Sequence, residues 1–302
     1  MANEPGFDLK AYLGEKRAIV DRALRDNLPR SSGPASELNQ AMEYSLFAGG
    51  KRLRPILCMA GGAAVEGDEE TVLPVACALE FIHTYSLMHD DLPAMDDDDL
   101  RRGKPTSHKV FGEAMAVLAG DGLLTEAFFL MTSPKIAGRI PPRALIRVTR
   151  MIARAAGPAG MVAGQAADIR SEGQQIDLDV LEYIHAHKTG ALITASVASG
   201  AVIGLGEASQ IQALADYGKK IGAAFQISDD ILDVEGDSHA MGKRTGADER
   251  KGKATYPSLL GLARAKEIQS GLIEEAVTAL SGFGKAAEPL RHLARYIIER
   301  KK

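Results

Sequence analysis

Residues 90–99 contain six aspartates, Asp90, Asp91, Asp96, Asp97, Asp98 and Asp99, and they directly follow the largely apolar stretch 79–88 (LEFIHTYSLM). The apolar stretch belongs in a core, so the fold must carry an acidic cluster to the edge of that core, where like charges repel one another. A solvated surface run is the plain reading of such aspartates, and the apolar approach argues against it. Cations or a cationic partner would relieve the repulsion. A second cluster, SDDILD at 228–233, again ends an apolar helical segment, marked by Ile221, Phe225 and Ile227. Asp229 and Asp233 are four residues apart and share a helix face. Two such clusters, far apart in sequence, suggest two faces of one cavity. Hard carboxylate oxygens suit Mg²⁺, which takes one or two carboxylates and fills its shell with water and substrate phosphate oxygens. The pair therefore points to a diphosphate held between the clusters.

The local code is helical almost throughout. Apolar residues recur at three and four rather than at two, as in Leu38, Met42, Ser45, Leu46 and Gly49. Breaks fall at 29–34 (PRSSGP), with Ser36 as a cap for the next helix, at 133–142, with Pro141 and Pro142 opening the next helix, and at 157–160 (GPAG). Residues 235–253 are polar, charged and glycine-bearing, and a loop of that length is usually functional or mobile. These spacings predict about a dozen helices in one all-α domain over 1–302. The longest weakly polar stretch, 190–206, holds Thr194, Ser196, Ser199 and several glycines. It reads as a buried bundle helix, because a membrane span needs about 20 strongly apolar residues.

Lys and Arg number 36 against 40 Asp and Glu, a net charge of −4. That balance argues against a broad nucleic-acid-binding face and leaves an anionic substrate possible. The two cysteines, Cys58 and Cys77, exclude a disulfide framework and a Cys-x-x-Cys zinc site. The first residues, MANEPGFDLK, lack the basic and apolar regions of a signal peptide. The expectation is a soluble cytoplasmic protein without a membrane span.

Neither cluster has the D-x-D-x-D-G spacing of a calcium loop, and no HExxH zinc pair is present. His185 and His187 are two apart on an expected helix and face different ways. Residues 49–55 (GGKRLRP) are not a Walker A loop. Lys51 and Arg54, three apart on one helix face, are either a basic helix start at the surface or a grip on phosphate oxygens. Arg101 and Arg102 either neutralise the first cluster or reach a substrate phosphate. Lys188, Thr189 and Gly190 fall at a helix junction, and Lys243, Arg244 and Lys253 lie in the polar loop. His83 shares a face with Asp90 two turns on, and either a structural or a site role fits it. No GxSxG elbow and no GxGxxG fingerprint occurs. Carboxylates, cations and an apolar wall suit ionisation of an allylic diphosphate better than nucleophilic catalysis.

Over most of its length the chain resembles the bacterial short-chain trans-isoprenyl diphosphate synthases, most of all farnesyl diphosphate synthases. DDLPAMD (90–96) matches the first aspartate-rich motif in its longer bacterial spacing, and DDILD (229–233) matches the second. GMVAGQ (160–165) and HKTGALI (187–193) match further family blocks. The resemblance implies an all-α bundle of the isoprenoid synthase type around a central cavity, and a homodimer. It implies that isopentenyl diphosphate condenses with dimethylallyl or geranyl diphosphate. By carry-over, Asp90, Asp91, Asp96, Asp229 and Asp233 hold about three Mg²⁺ ions per site with substrate bound, with Mn²⁺ as a substitute. Lys51, Arg54, His83 and Arg102 match the isopentenyl diphosphate site. Arg101, Lys188 and Lys243 match groups on the allylic diphosphate. Thr189 and Gln226 match groups beside the developing carbocation, and Lys253 closes over the site. Gln165 and Asp168 are second-line candidates. Tyr85 and Ser86, fifth and fourth upstream of Asp90, are the positions tied to product length. Tyr85 is either the floor of the chain tunnel, which favours a fifteen-carbon product, or ordinary core. A geranylgeranyl diphosphate synthase, a terpene cyclase and a non-catalytic subunit of the same fold are the competing readings. Complete motifs argue against the last, and the absence of Trp argues against the cyclase.

Overall fold

Apolar spacing at three and four becomes helix along almost all of the described chain. The structure is a computed structural model that describes residues 7–30, 32–235 and 253–299. In order, the elements are α1 (Leu9–Asn27), α2 (Ser36–Leu46), α3 (Leu53–Ala64), α4 (Glu69–Asp90), β1 (Leu100–Arg101), β2 (Lys104–Pro105), α5 (Ser107–Phe111), α6 (Glu113–Met131), α7 (Pro134–Ala137), α8 (Pro142–Ala156), α9 (Met161–Ser171), α10 (Leu178–Ile184), a π-helix (His185–Gly190), α11 (Ala191–Ile203), α12 (Ala208–Glu235), α13 (Tyr256–Leu260), α14 (Leu262–Ala279) and α15 (Glu288–Glu299). The only strands among the described residues form a two-residue antiparallel ladder, with Leu100 opposite Pro105 and Arg101 opposite Lys104.

α11 is the central helix. It packs against α3, α12, α8 and α4, and every residue from Ala195 to Ile203 is buried. It approaches α3 so closely that side chains have no room at the crossing. A Cβ on Gly200 would lie 1.9 Å from the Cys58 carbonyl oxygen, and one on Gly61 would lie 2.3 Å from that of Val197. The expected bundle helix at 190–206 is therefore this core helix. By length and composition alone, α4 and α6 are the two described helices long and apolar enough to cross a membrane. α4 turns that apolarity into core, with 67% of its apolar window buried, whereas only 39% of the α6 window is covered.

Local expectations hold in some places and fail in others. Pro141 is the N-cap of α8 and Pro142 its first residue. Ser36 is not the N-cap of α2: a 3-10 turn at Gly33–Ala35 runs into the helix, and Ser36 is already its first residue. Lys51 and Arg54 do not share a helix face. Gly49 and Gly50 have φ of 119° and 126°, Arg52 is left-handed at φ 52°, and α3 begins only at Leu53. Pro55 suits that first helical turn. His185 and His187 lie on π winding, not on an α-helix. The bundle brings the aspartate motifs to two comparable places, the last residues of α4 and the last turns of α12.

Candidate active site

Asp90 is the last residue of α4 and Asp91 its C-cap. Negative charge at this end of a helix is opposed by the helix dipole. Burial, reinforced by Asp96 and Asp91 and opposed by Lys188 and Arg101, pushes the Asp90 carboxyl up to about 6. The loop folds back so that the Asp96 amide donates to the Asp90 carbonyl at 2.8 Å, while the amides of Met95 and Asp97 both donate to Leu92. Asp96 thus comes beside Asp90 despite the residues between them.

Asp91 is paired with a cation of the following turn. It is buried and accepts from Arg101 Nε at 2.6 Å. Arg101 also lies 3.6 Å from Asp98. The reason is the turn: Arg102 (φ 56°) and Gly103 (φ 77°) reverse the chain, sending Arg101 to Asp91 and Arg102 back to donate to the Gly49 carbonyl. The geometry makes Asp91 a carboxylate that orients Arg101 through one of its oxygens.

In the second motif Asp229 is exposed, Asp233 is half-buried and Asp230 is buried. Asp230 accepts from the Tyr256 amide at 2.9 Å, and Ser228 donates to the Ile297 carbonyl at 2.9 Å. These two bonds fix the motif against α13 and the α15 backbone. Asp229 and Asp233, one turn apart, share an adjoining face of α12.

Lys188 and Thr189 lie on the π-helix, against α9. A Cβ on Gly164 would fall 2.1 Å from the Lys188 backbone nitrogen, so only glycine permits this contact. Asp168, one turn after Gly164, holds Lys188 at 2.7 Å and Lys253 at 3.3 Å. Burial opposes its charge, yet the two ammonium groups win and its carboxyl is held below the usual range. Gln165 keeps both amide atoms buried with no partner among the described residues. Asp168, His185, Lys188, Gln226, Asp230 and Lys253 border a cavity of about 150 Å³. Lys243 lies outside the described residues.

The cationic loop is built around Arg52, which sequence reasoning passed over. It is buried and donates to Asp21 at 2.7 Å, to Glu80 at 2.8 Å and to the Leu46 carbonyl at 2.8 Å. Lys51 is exposed, at a second cavity of about 200 Å³ walled by Leu53, Phe225 and Tyr296 among others. Arg54 Nε is buried with no partner among the described residues. Burial pulls the Arg54 guanidinium down to about 10, Arg102 adds to this, and Glu80 and Asp229 oppose it. His83 is driven well below its ordinary value by burial and then by Arg54, Arg102, Arg101 and Arg52. It stays neutral and can donate one hydrogen bond.

Each acidic motif is coupled to nearby cations. Asp90 feels Lys188, Lys253 feels Asp96, and Arg54 feels Asp229. The first motif is thus coupled to Lys188, Lys253 and Arg101, and the second to Arg54. The donor set fits a hard divalent ion: carboxylates crowded by burial and by each other gain from a cation. Among the described residues no group of three or more His, Cys, Asp or Glu is gathered to hold a metal unaided. Mg²⁺ suits such a site, since it keeps waters and substrate oxygens in its shell.

An all-α bundle that carries two aspartate motifs beside buried cations is the architecture these residues define. The polyprenyl synthetase family model matches residues 35–288, and the chain belongs to that family. It is 51% identical over 294 residues to the farnesyl diphosphate synthase of Geobacillus stearothermophilus, covering 97% of this chain and 98% of that one. It is 48% identical over 295 residues to geranylgeranyl pyrophosphate synthase 12, chloroplastic, of Arabidopsis thaliana, covering 96% and 81%. The apo crystal structure of an FPP/GFPP synthase from Zymomonas mobilis superposes with a TM-score of 0.86 at 40% identity, covering 96% and 98%. The protein is a trans-prenyltransferase. The family is generally dependent on divalent metal.

Proposed function

We propose that this enzyme is a farnesyl diphosphate synthase, condensing isopentenyl diphosphate with dimethylallyl or geranyl diphosphate in the cytoplasm, as one domain and as a homodimer. The observation that carries the fifteen-carbon reading is Tyr85, fifth upstream of Asp90 and buried at 8% exposure. On a helix it lies about 7.5 Å below Asp90, at the depth of a tunnel floor. A twenty-carbon product is the second reading, favoured by the likeness to the plant enzyme.

Asp90, Asp96, Asp229 and Asp233 would hold Mg²⁺, which when bound neutralises charge on the leaving diphosphate. Lys188, positioned by Asp168, and Arg101, positioned by Asp91, add donors to the same oxygens. Lys243 is assigned there too by the family resemblance. The allylic cation is flanked by the Thr189 hydroxyl and the Gln226 amide oxygen. Lys51, Arg54, Arg102 and neutral His83 hold isopentenyl diphosphate, whose double bond attacks the cation. The proton then lost goes to the departed diphosphate, so no side-chain base is needed. Lys253 closes the site from the Asp168 side.

The test is an assay of the purified protein with Mg²⁺, isopentenyl diphosphate and either allylic starter, with products read by mass spectrometry. Fifteen carbons should dominate. A dominant twenty-carbon product would overturn the farnesyl reading and leave the transferase class intact. Asp90→Ala and Asp229→Ala should each lower turnover by about a hundredfold or more, the scale of losing charge stabilisation in a transition state, with unchanged circular dichroism. Near-normal turnover in either would remove that residue from the metal site.

A further inference from the structure

We infer that His89 is the positioning residue that fixes product length, by wedging the Tyr85 ring between α4 and α6. The inference rests on the fifteen-carbon reading and extends it by a residue to which no length role has been given above. Tyr85 and His89 are four apart on α4, one above the other. Their rings meet edge to face, 5.7 Å between centroids and 82° between planes. Such contacts hold an aromatic ring in one orientation.

His89 is itself held from the far side. Its Nε2 lies 3.0 Å from the Val117 carbonyl oxygen on α6. An oxygen acceptor there requires the proton on Nε2. The imidazole occupies the space that a side chain at position 120 would fill: a Cβ on Gly120 would fall 2.1 Å from Nε2 and 2.5 Å from Cδ2. Gly120 is therefore glycine to admit His89. Ala116 and Ala119, also buried, keep the same face of α6 low. The chain of contacts runs from the α6 backbone through the imidazole to the Tyr85 ring. Ser86 takes no part, because its hydroxyl donates to the His83 carbonyl of its own helix at 2.9 Å.

The experiment compares four variants in the product assay: Tyr85→Ala, His89→Ala, His89→Gln and Gly120→Ala. Tyr85→Ala reports whether the ring is the floor at all. His89→Ala frees the ring without removing it and should raise the ratio of twenty- to fifteen-carbon product about three- to tenfold, the range expected for losing one edge-to-face contact. Gly120→Ala displaces the imidazole from the other side and should move the ratio the same way, and it carries the test if His89→Ala does not fold. His89→Gln keeps an N–H near the Nε2 position and should stay nearer the parent. General loosening of the fold lowers yield without changing that ratio. If Tyr85→Ala lengthens the product while His89→Ala and Gly120→Ala do not, the wedge is overturned and the farnesyl reading survives. If none of the variants lengthens it, Tyr85 is not the floor and the inference falls with that assignment.

Discussion

Arg52 sits between two proposed substrate cations and touches neither substrate in this reading. Its three bonds reach α1, the end of α2 and α4, so one guanidinium sets where Lys51 and Arg54 emerge. Glu80 is 2% exposed, and removing its partner leaves a buried charge without compensation. Arg52→Met should therefore cost about 3–5 kcal/mol in urea unfolding. Arg52→Met with Glu80→Leu should recover most of that stability and still raise KM for isopentenyl diphosphate more than KM for the allylic partner. Equal effects on both KM values would deny Arg52 this positioning role. His185 gives a different signal. Burial, with Lys188 adding and Asp168 opposing, lowers its pKa from 6.5 to about 4. Between those values the unfolded chain binds a proton that the folded chain refuses. Stability should thus fall as pH drops from about 6.5 to 4, by about 3 kcal/mol from this group. His185→Asn should make the slope of unfolding free energy shallower by ~1.4 kcal/mol per pH unit in that window. An unchanged slope would mean that His185 protonates in the folded state.

At the scale of elements, α9 and the π-helix form the wall that carries Lys188, and their contact depends on one missing side chain. Gly164→Ala places a methyl against the Lys188 backbone, and the neighbour there is main chain that cannot swing aside. Turnover should fall by at least about tenfold, as expected when a catalytic group is displaced by a fraction of an ångström, with a lower Tm. Full activity would show that the wall relaxes freely. The acidic motifs were legible from sequence because they break a simple expectation, charge at the end of an apolar helix. The family blocks around Gly164 and Lys188 were legible as resemblance alone. The π winding was not, since six residues carry too little periodicity to separate it from an α-turn. The split between Asp90 and Asp91 was not legible either, because it follows from the turn at Arg102 and Gly103 and not from spacing. Arg52 was hidden among other bases in GGKRLRP. Its clue was Glu80, an acid near the start of apolar LEFIHTYSLM that needs a buried partner.

Across the described residues, an apolar surface without a described cover lies along α6. That helix is apolar nearly all round, which fits burial on every side, yet Val117, Leu118 and Phe129 are 39%, 55% and 68% exposed. Ile146 of α8, a helix that packs against α6, is 67% exposed. A second copy is the occupant that the family resemblance implies, and a twofold interface presents the same patch from both sides. Covering side chains of this kind is worth roughly 1.5–3 kcal/mol each, so a few such residues per subunit can support a stable pair. The inner face of α6 receives His89, so the proposed subunit contact and the proposed product floor share one helix. Leu118→Lys with Phe129→Glu should convert the dimer to monomer in sedimentation velocity at micromolar protein. The same variant should also broaden the product distribution, because the helix behind His89 loses its backing. A wild-type monomer at that concentration would remove the dimer from the proposal. A monomeric variant with unchanged products would separate the subunit interface from control of chain length.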